Sequence, residues 1–186
     1  MNGTIIADDL ADASVTSEKI ADDTITADDI EDRTQVISFP AHALNYIDTG
    51  GTITEYAIGL LWEADWDQGA YLILPGRLDW DGETDVSMSL HFRSGTSDSG
   101  DVQFFIRPRA YDDGDSWGDA ASITGDAVTV SASNAVYEQF IYIPASKFGS
   151  KELWVISIQR DGALSTYTDD IVLLSVSLFY NAVRYV

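Results

Sequence analysis

A large aliphatic side chain returns every fifth residue through the first thirty positions: Ile5, Leu10, Val15, Ile20, Ile25 and Ile30. The spacing belongs to a ten-residue unit read three times in register, Gly3 to Asp12, Ala13 to Asp22 and Asp23 to Asp32. A period of five suits neither the 3.6-residue helix nor the two-residue strand, and it misses the 3.5-residue seam of a coiled coil. Thr16 and Thr26 stand where helix N-caps would, with acids in the turn that follows. Each unit therefore reads as a short extended piece followed by one helical turn. A pentapeptide β-helix is disfavoured, because the residue two before each aliphatic is usually acidic and the coils would be too few. Six aliphatics return less free energy than the backbone entropy of ordering so thin a segment in one chain. The expectation is a stalk of several chains, three by preference, held together by a partner domain at high effective concentration.

This repeat carries ten carboxylates against the single Lys19, within a chain of formal charge −21. Nucleic acid and anionic membranes are poor partners for such a chain, since both demand Lys/Arg footprints. The charge instead favours solubility and attracts cations. With no cysteine there is neither disulfide nor thiolate metal site. No signal peptide is visible at Met1-Asn2-Gly3-Thr4, and the longest apolar run, Ala70 to Leu74, is far too short to span a bilayer. The chain is expected to be soluble and made in a cytoplasm.

After Arg33-Thr34 the texture becomes densely β, so two parts are expected: a stalk over residues 1–33 and a head over 34–186. With 45% apolar residues the head can build a sizeable core. Candidate strands are Gln35–Phe39, Ile53–Leu61, Ala70–Leu74, Val86–Arg93, Val102–Ala110, Ala127–Val130, Val136–Ile143, Leu153–Gln159 and Ile171–Tyr180. They are short, rich in Val, Ile and aromatics, and parted by Gly/Asp/Ser loops, which predicts an all-β sandwich of jelly-roll type. The last strand begins apolar on both faces and belongs in the middle of a sheet. Trp62 and Trp154 fall within strand patterns and are expected in the core.

Together these features resemble a type of tailed-bacteriophage virion protein in which linkers of the form ADxxVTxxKIAD lead into a small jelly-roll sandwich. The linker residues are Ser14-Val15-Thr16-Ser17-Glu18-Lys19-Ile20-Ala21-Asp22. The globular ones are Phe39-Pro40-Ala41-His42-Ala43, the run Leu74 to Gly82, Ile158-Gln159-Arg160-Asp161, and Asp170 to Tyr180. The resemblance implies a surface appendage, such as a tail fibre, head fibre, turret or capsid decoration, usually trimeric. Two departures stand out: the Lys that usually fills each linker unit survives only as Lys19, and no separate particle-anchoring domain precedes the repeat. Attachment by the repeat itself to a major capsid or other virion protein follows.

Three tryptophans sit in polar loops: Asp65-Trp66-Asp67, Asp79-Trp80-Asp81 and Ser116-Trp117-Gly118. An aromatic face beside carboxylates suits a pyranose ring, so Trp66, Trp80 and Trp117 are candidate glycan contacts. The rival reading has each indole plugging its loop into the end of the core, with its N–H satisfied nearby. Asp79, Asp81, Glu83 and Asp85 alternate around Gly82, and Asp112, Asp113 and Asp115 surround Gly114. Either set is a candidate Ca²⁺ loop, though neither has the twelve-residue EF-hand spacing, and a solvated acidic turn explains both. Only His42 and His91 offer imidazole, no Ser-elbow, phosphate loop or HExxH occurs, and Arg107 and Arg109 are expected to pair with acids. No cofactor is otherwise called for. The sequence favours a non-enzymatic, homotrimeric structural protein of the virion surface. A receptor- or glycan-binding head is its alternative, and a polysaccharide-degrading enzyme a distant third.

Overall fold

Alternating side chains decide this architecture, because every long strand offers one apolar edge to a shared core. The computed structural model describes residues 33–47, 54–56, 59–62, 69–76, 79–95, 98–116, 118, 120–149 and 151–182. The decad repeat, with Ile5, Leu10, Val15, Ile20, Ile25 and Ile30, lies outside the described residues, as do Trp66 and Trp117.

In chain order the strands are β1 (Arg33–Pro40), β2 (Asn45–Ile47), β3 (Thr54–Tyr56), β4 (Gly59–Trp62), β5 (Gly69–Pro75), β6 (Val86–Ser94) and β7 (Gly100–Val102). There follow β8 (Phe104–Tyr111), β9 (Ile123–Thr124), β10 (Val128–Val130), β11 (Val136–Ile143), β12 (Leu153–Arg160) and β13 (Ile171–Ala182). One sheet runs β11-β6-β13-β4-β3, with β1 also on β13; the other runs β2-β5-β12-β8-β9. β10 and β7 form a separate pair. The long strands β5, β6, β8, β11, β12 and β13 fall in the two sheets by turns, which is the winding of a jelly roll. The described residues thus form an all-β sandwich.

Most expected strands are present within a residue or two of their predicted ends. Ile53–Leu61 is broken into β3 and β4, and Val102–Ala110 into β7 and β8. The short β2 and β9 had no sequence counterpart, because two or three residues show no period. β13 is central as expected: β6 runs along one side, with β4 and then β1 along the other.

A register shift between Leu173 and Ser175 swaps the phase of β13. Ile171 and Leu173 point into the core before it, and Val176, Leu178 and Tyr180 after it. The extra residue lets one strand serve the core along twelve positions. Met88, Leu90 and Phe92 on β6 face Phe104 and Ile106 on β8, and Ile156 and Ile158 on β12, across the interior. Trp62 and Trp154 are fully buried, as their strand patterns predicted. Arg160 is buried as well, its guanidinium donating to the carbonyls of Tyr167 (2.6 Å) and Asp169 (2.9 Å) and so fastening the 161–170 loop.

Candidate functional site

The Asp79 to Asp85 loop is structural. Gly82 takes φ +77° to turn the chain, and Asp81 Oδ1 accepts the backbone N–H groups of Glu83 and Thr84, each at 2.9 Å. Its Oδ2 accepts the Thr84 hydroxyl at 2.6 Å. Burial alone would raise the Asp81 carboxyl, but the Thr84 hydroxyl and the two N–H groups outweigh it and hold the pKa below its ordinary value. Asp85 accepts the Ala145 N–H at 3.0 Å, and Asp79 lies 3.5 Å from the Tyr180 hydroxyl. Each of these three carboxylates thus answers a protein donor. Among the described residues no group of three or more acids or histidines converges as a cation site. Asp79, Asp81, Glu83 and Asp85 thus lie in a turn held by hydrogen bonds from within the protein. In the 112–115 loop, Lys151 bridges Asp112 (2.8 Å) and Asp115 (3.1 Å), supplying from the protein the charge a metal would bring.

Trp80 packs against the core. It is 9% exposed, edge-on to Trp154 at 5.1 Å and to Phe148 at 6.2 Å, with its indole N–H donating to the Thr84 carbonyl at 3.0 Å. So nearly covered a ring offers little surface to a sugar. Arg107 meets the Gln159 amide and lies 4.8 Å over the Phe105 ring, where an acid had been expected.

Accessible aromatic surface appears instead on β11, a strand at the edge of its sheet. The period of two sends Gln139, Ile141 and Ile143 inward and leaves Glu138, Phe140 and Tyr142 outward. Phe140 is 45% exposed and Tyr142 70%. Beside them the segment from Ile123 to Val128 runs past the strand edge, leaving a groove of 390 Å³ between Thr124, Asp126 and Val128 on one wall and Glu138 to Tyr142 on the other. Two features set its width. Gln139 is buried between the walls, accepting the Phe104 N–H at 3.0 Å and donating to the Asp126 carbonyl. Gly125 approaches so closely that a Cβ there would lie 2.8 Å from Ile141 Cγ1. The groove thus runs along the strand edge on the side of Gln139 and Ile141, and Phe140 and Tyr142 stand on the outward face of the strand beside it.

His91, Ser89 and Glu138 meet at one end. Ser89 donates to Glu138 Oε1, His91 Nε2 lies 3.3 Å from the same oxygen, and His91 Nδ1 lies 3.4 Å from the Ser89 hydroxyl. These are the residue types of a hydrolytic triad in the wrong arrangement. Ser89 is fully buried, and its proton is directed at the carboxylate, whereas a nucleophile needs an exposed oxygen whose proton goes to the imidazole. Glu138 is drawn toward β6 by the same contacts. The cluster orients a carboxylate; it is not built to attack a substrate.

Neither a protein-family model nor a curated protein sequence matches the chain. Among solved structures it is similar to a xylan-binding module at 16% identity and TM-score 0.49, covering 82% of this chain and all of that one. It is also similar to a domain of a multidomain xylanase from the hindgut metagenome of Trinervitermes trinervoides, at 6% identity and TM-score 0.47, over 77% of this chain and 96% of that one. A third is the K1 cleaved adhesin domain of Lys-gingipain from Porphyromonas gingivalis W83, at 14% identity and TM-score 0.47, over 80% and 99%. What this chain can bind is read from its own residues.

Proposed function

We propose that the sandwich is a non-catalytic glycan-binding head, and that the β11 groove is its site. One observation carries this reading: Phe140 and Tyr142 stand exposed on the outward face of β11, beside a groove lined also by Glu138, Asp126 and Thr124. A pyranose offers an apolar C–H face and a ring of hydroxyls. It is matched by aromatic faces beside oriented carboxylate and backbone groups. This moves the adhesive role away from Trp80 and onto a strand edge. Screening the full-length chain on a broad glycan array should yield binders that Tyr142→Ala weakens at least about tenfold, a loss of about 1.4 kcal/mol. A blank array, or binding indifferent to both Tyr142→Ala and Phe140→Ala, would sink the proposal.

A virion-surface appendage remains the second reading, and the ten-residue repeat with its aliphatic every fifth position favours it. The two readings are compatible, with a sugar-recognising head carried on a self-associating stalk. Light scattering on the full chain tests it: a trimer supports the stalk, and a monomer removes it.

A further inference from the structure

Antiparallel register lines up the outward side chains of four strands in rows that cross the sheet. One row is Val36 on β1, Phe179 on β13, Ser87 on β6 and Tyr142 on β11. The next is Ser38, Ser177, Ser89 and Phe140. Phe140 and Phe179 approach each other diagonally over this floor, with ring centroids 6.2 Å apart and planes tilted by 44°. Ser89 and Ser177 are buried, so a strip of small residues gives the rings room to lie down over the sheet. At the far end Val36 is 52% exposed. Tyr142 and Phe140 thus begin a track over the outward face that spans three interstrand spacings, roughly 14 Å at about 4.8 Å each. A track of that length exceeds one sugar ring.

Charge narrows the occupant. In these two rows and the neighbouring row of Pro40, Ser175, His91 and Glu138, the single carboxylate is Glu138. The chain around them carries −21. A polyanion approaching this face meets a repulsive field with no arginine or lysine in the track to offset it, whereas a neutral chain meets aromatic faces at no electrostatic cost.

Resting on the glycan-binding reading, we propose that Tyr142, Phe140, Phe179 and Val36 form consecutive contacts for an uncharged oligosaccharide laid across the strands, with Val36 marking its far end. Calorimetry on the full-length chain would use neutral binders from the array, graded from single rings to hexamers, with polygalacturonate as the anionic comparison at low salt. Affinity should climb with length and then level off. Val36→Asp, a surface change that spares the fold, should cut affinity for the long ligands about tenfold and leave the shortest binder unchanged. Polygalacturonate should bind at least about tenfold more weakly than the neutral chains. Affinity independent of length, indifference to Val36→Asp, or equal binding of the polyanion would each overturn this inference while leaving the β11 groove in place. An array with anionic binders alone also overturns this inference and leaves the site standing; a blank array removes both.

Discussion

Replacing Trp80 and Tyr142 in turn separates an aromatic that builds the fold from one that serves the surface. Trp80→Ala removes a ring that is 9% exposed and edge-on to both Trp154 and Phe148, and it strands the Thr84 carbonyl. Truncating a buried aromatic of this kind costs roughly 3–5 kcal/mol. For a domain of about 150 residues, that lowers Tm by roughly 6–20 °C. Trp80→Phe restores much of the packing but not the N–H donor, and should cost about 1–2 kcal/mol. Tyr142→Ala removes a ring that is 70% exposed, with a stability effect within about 1 kcal/mol. Urea unfolding followed by intrinsic fluorescence gives the midpoints and slopes, and glycan titration of the folded variants gives affinity. The two variants should behave oppositely: Trp80→Phe binds normally but unfolds early, whereas Tyr142→Ala is stable but loses ligand. If Trp80→Ala were as stable as the parent and deficient only in binding, the assignment of Trp80 to the core would be wrong, and the site with it.

Gly76→Ala would place a Cβ 1.9 Å from the Lys151 carbonyl oxygen, against a backbone that cannot simply rotate away; a loss of roughly 1–3 kcal/mol of stability from urea unfolding is expected. The Asp81 carboxyl has a folded pKa below its ordinary 3.8, so its stabilisation is fully present above the unfolded value and is lost as pH falls through the folded one. The stability gap between the parent and Asp81→Ala, measured by urea unfolding at successive pH values, should therefore be constant near neutrality and narrow once pH drops beneath 3.8. Melting in excess Ca²⁺ and in chelator should give the same Tm, because Asp81 is occupied by Thr84 and Glu83; a calcium-dependent rise abolished by Asp81→Ala would contradict this.

How much of this was legible beforehand differs between fold and site. Strands β6, β11 and β12 could be read within a residue or so, since alternation is local and a buried face repeats every second position. Trp62 and Trp154 were assigned to the core for the same reason. Trp80 is harder, because Asp79-Trp80-Asp81 looks exposed by its neighbours. The ring turns inward only because Gly82 and the Asp81 cap bend the loop toward Phe148 and Trp154. Phe140 and Tyr142 left a faint signal: they are large aromatics on the phase of an alternating strand opposite to Ile141 and Ile143. Their partners left none.

From sequence alone, then, come the ten-residue period of the first thirty positions, the acidity, the β character and the positions of the main strands. All of these are set by short-range pattern and composition. The tertiary structure alone brings Val36, Phe179 and Tyr142 into one row and sets Gly125 against Ile141 to shape the groove. Register between strands more than a hundred residues apart is chosen by the packing of the whole core, where a one-residue slip would turn every side chain to the opposite face.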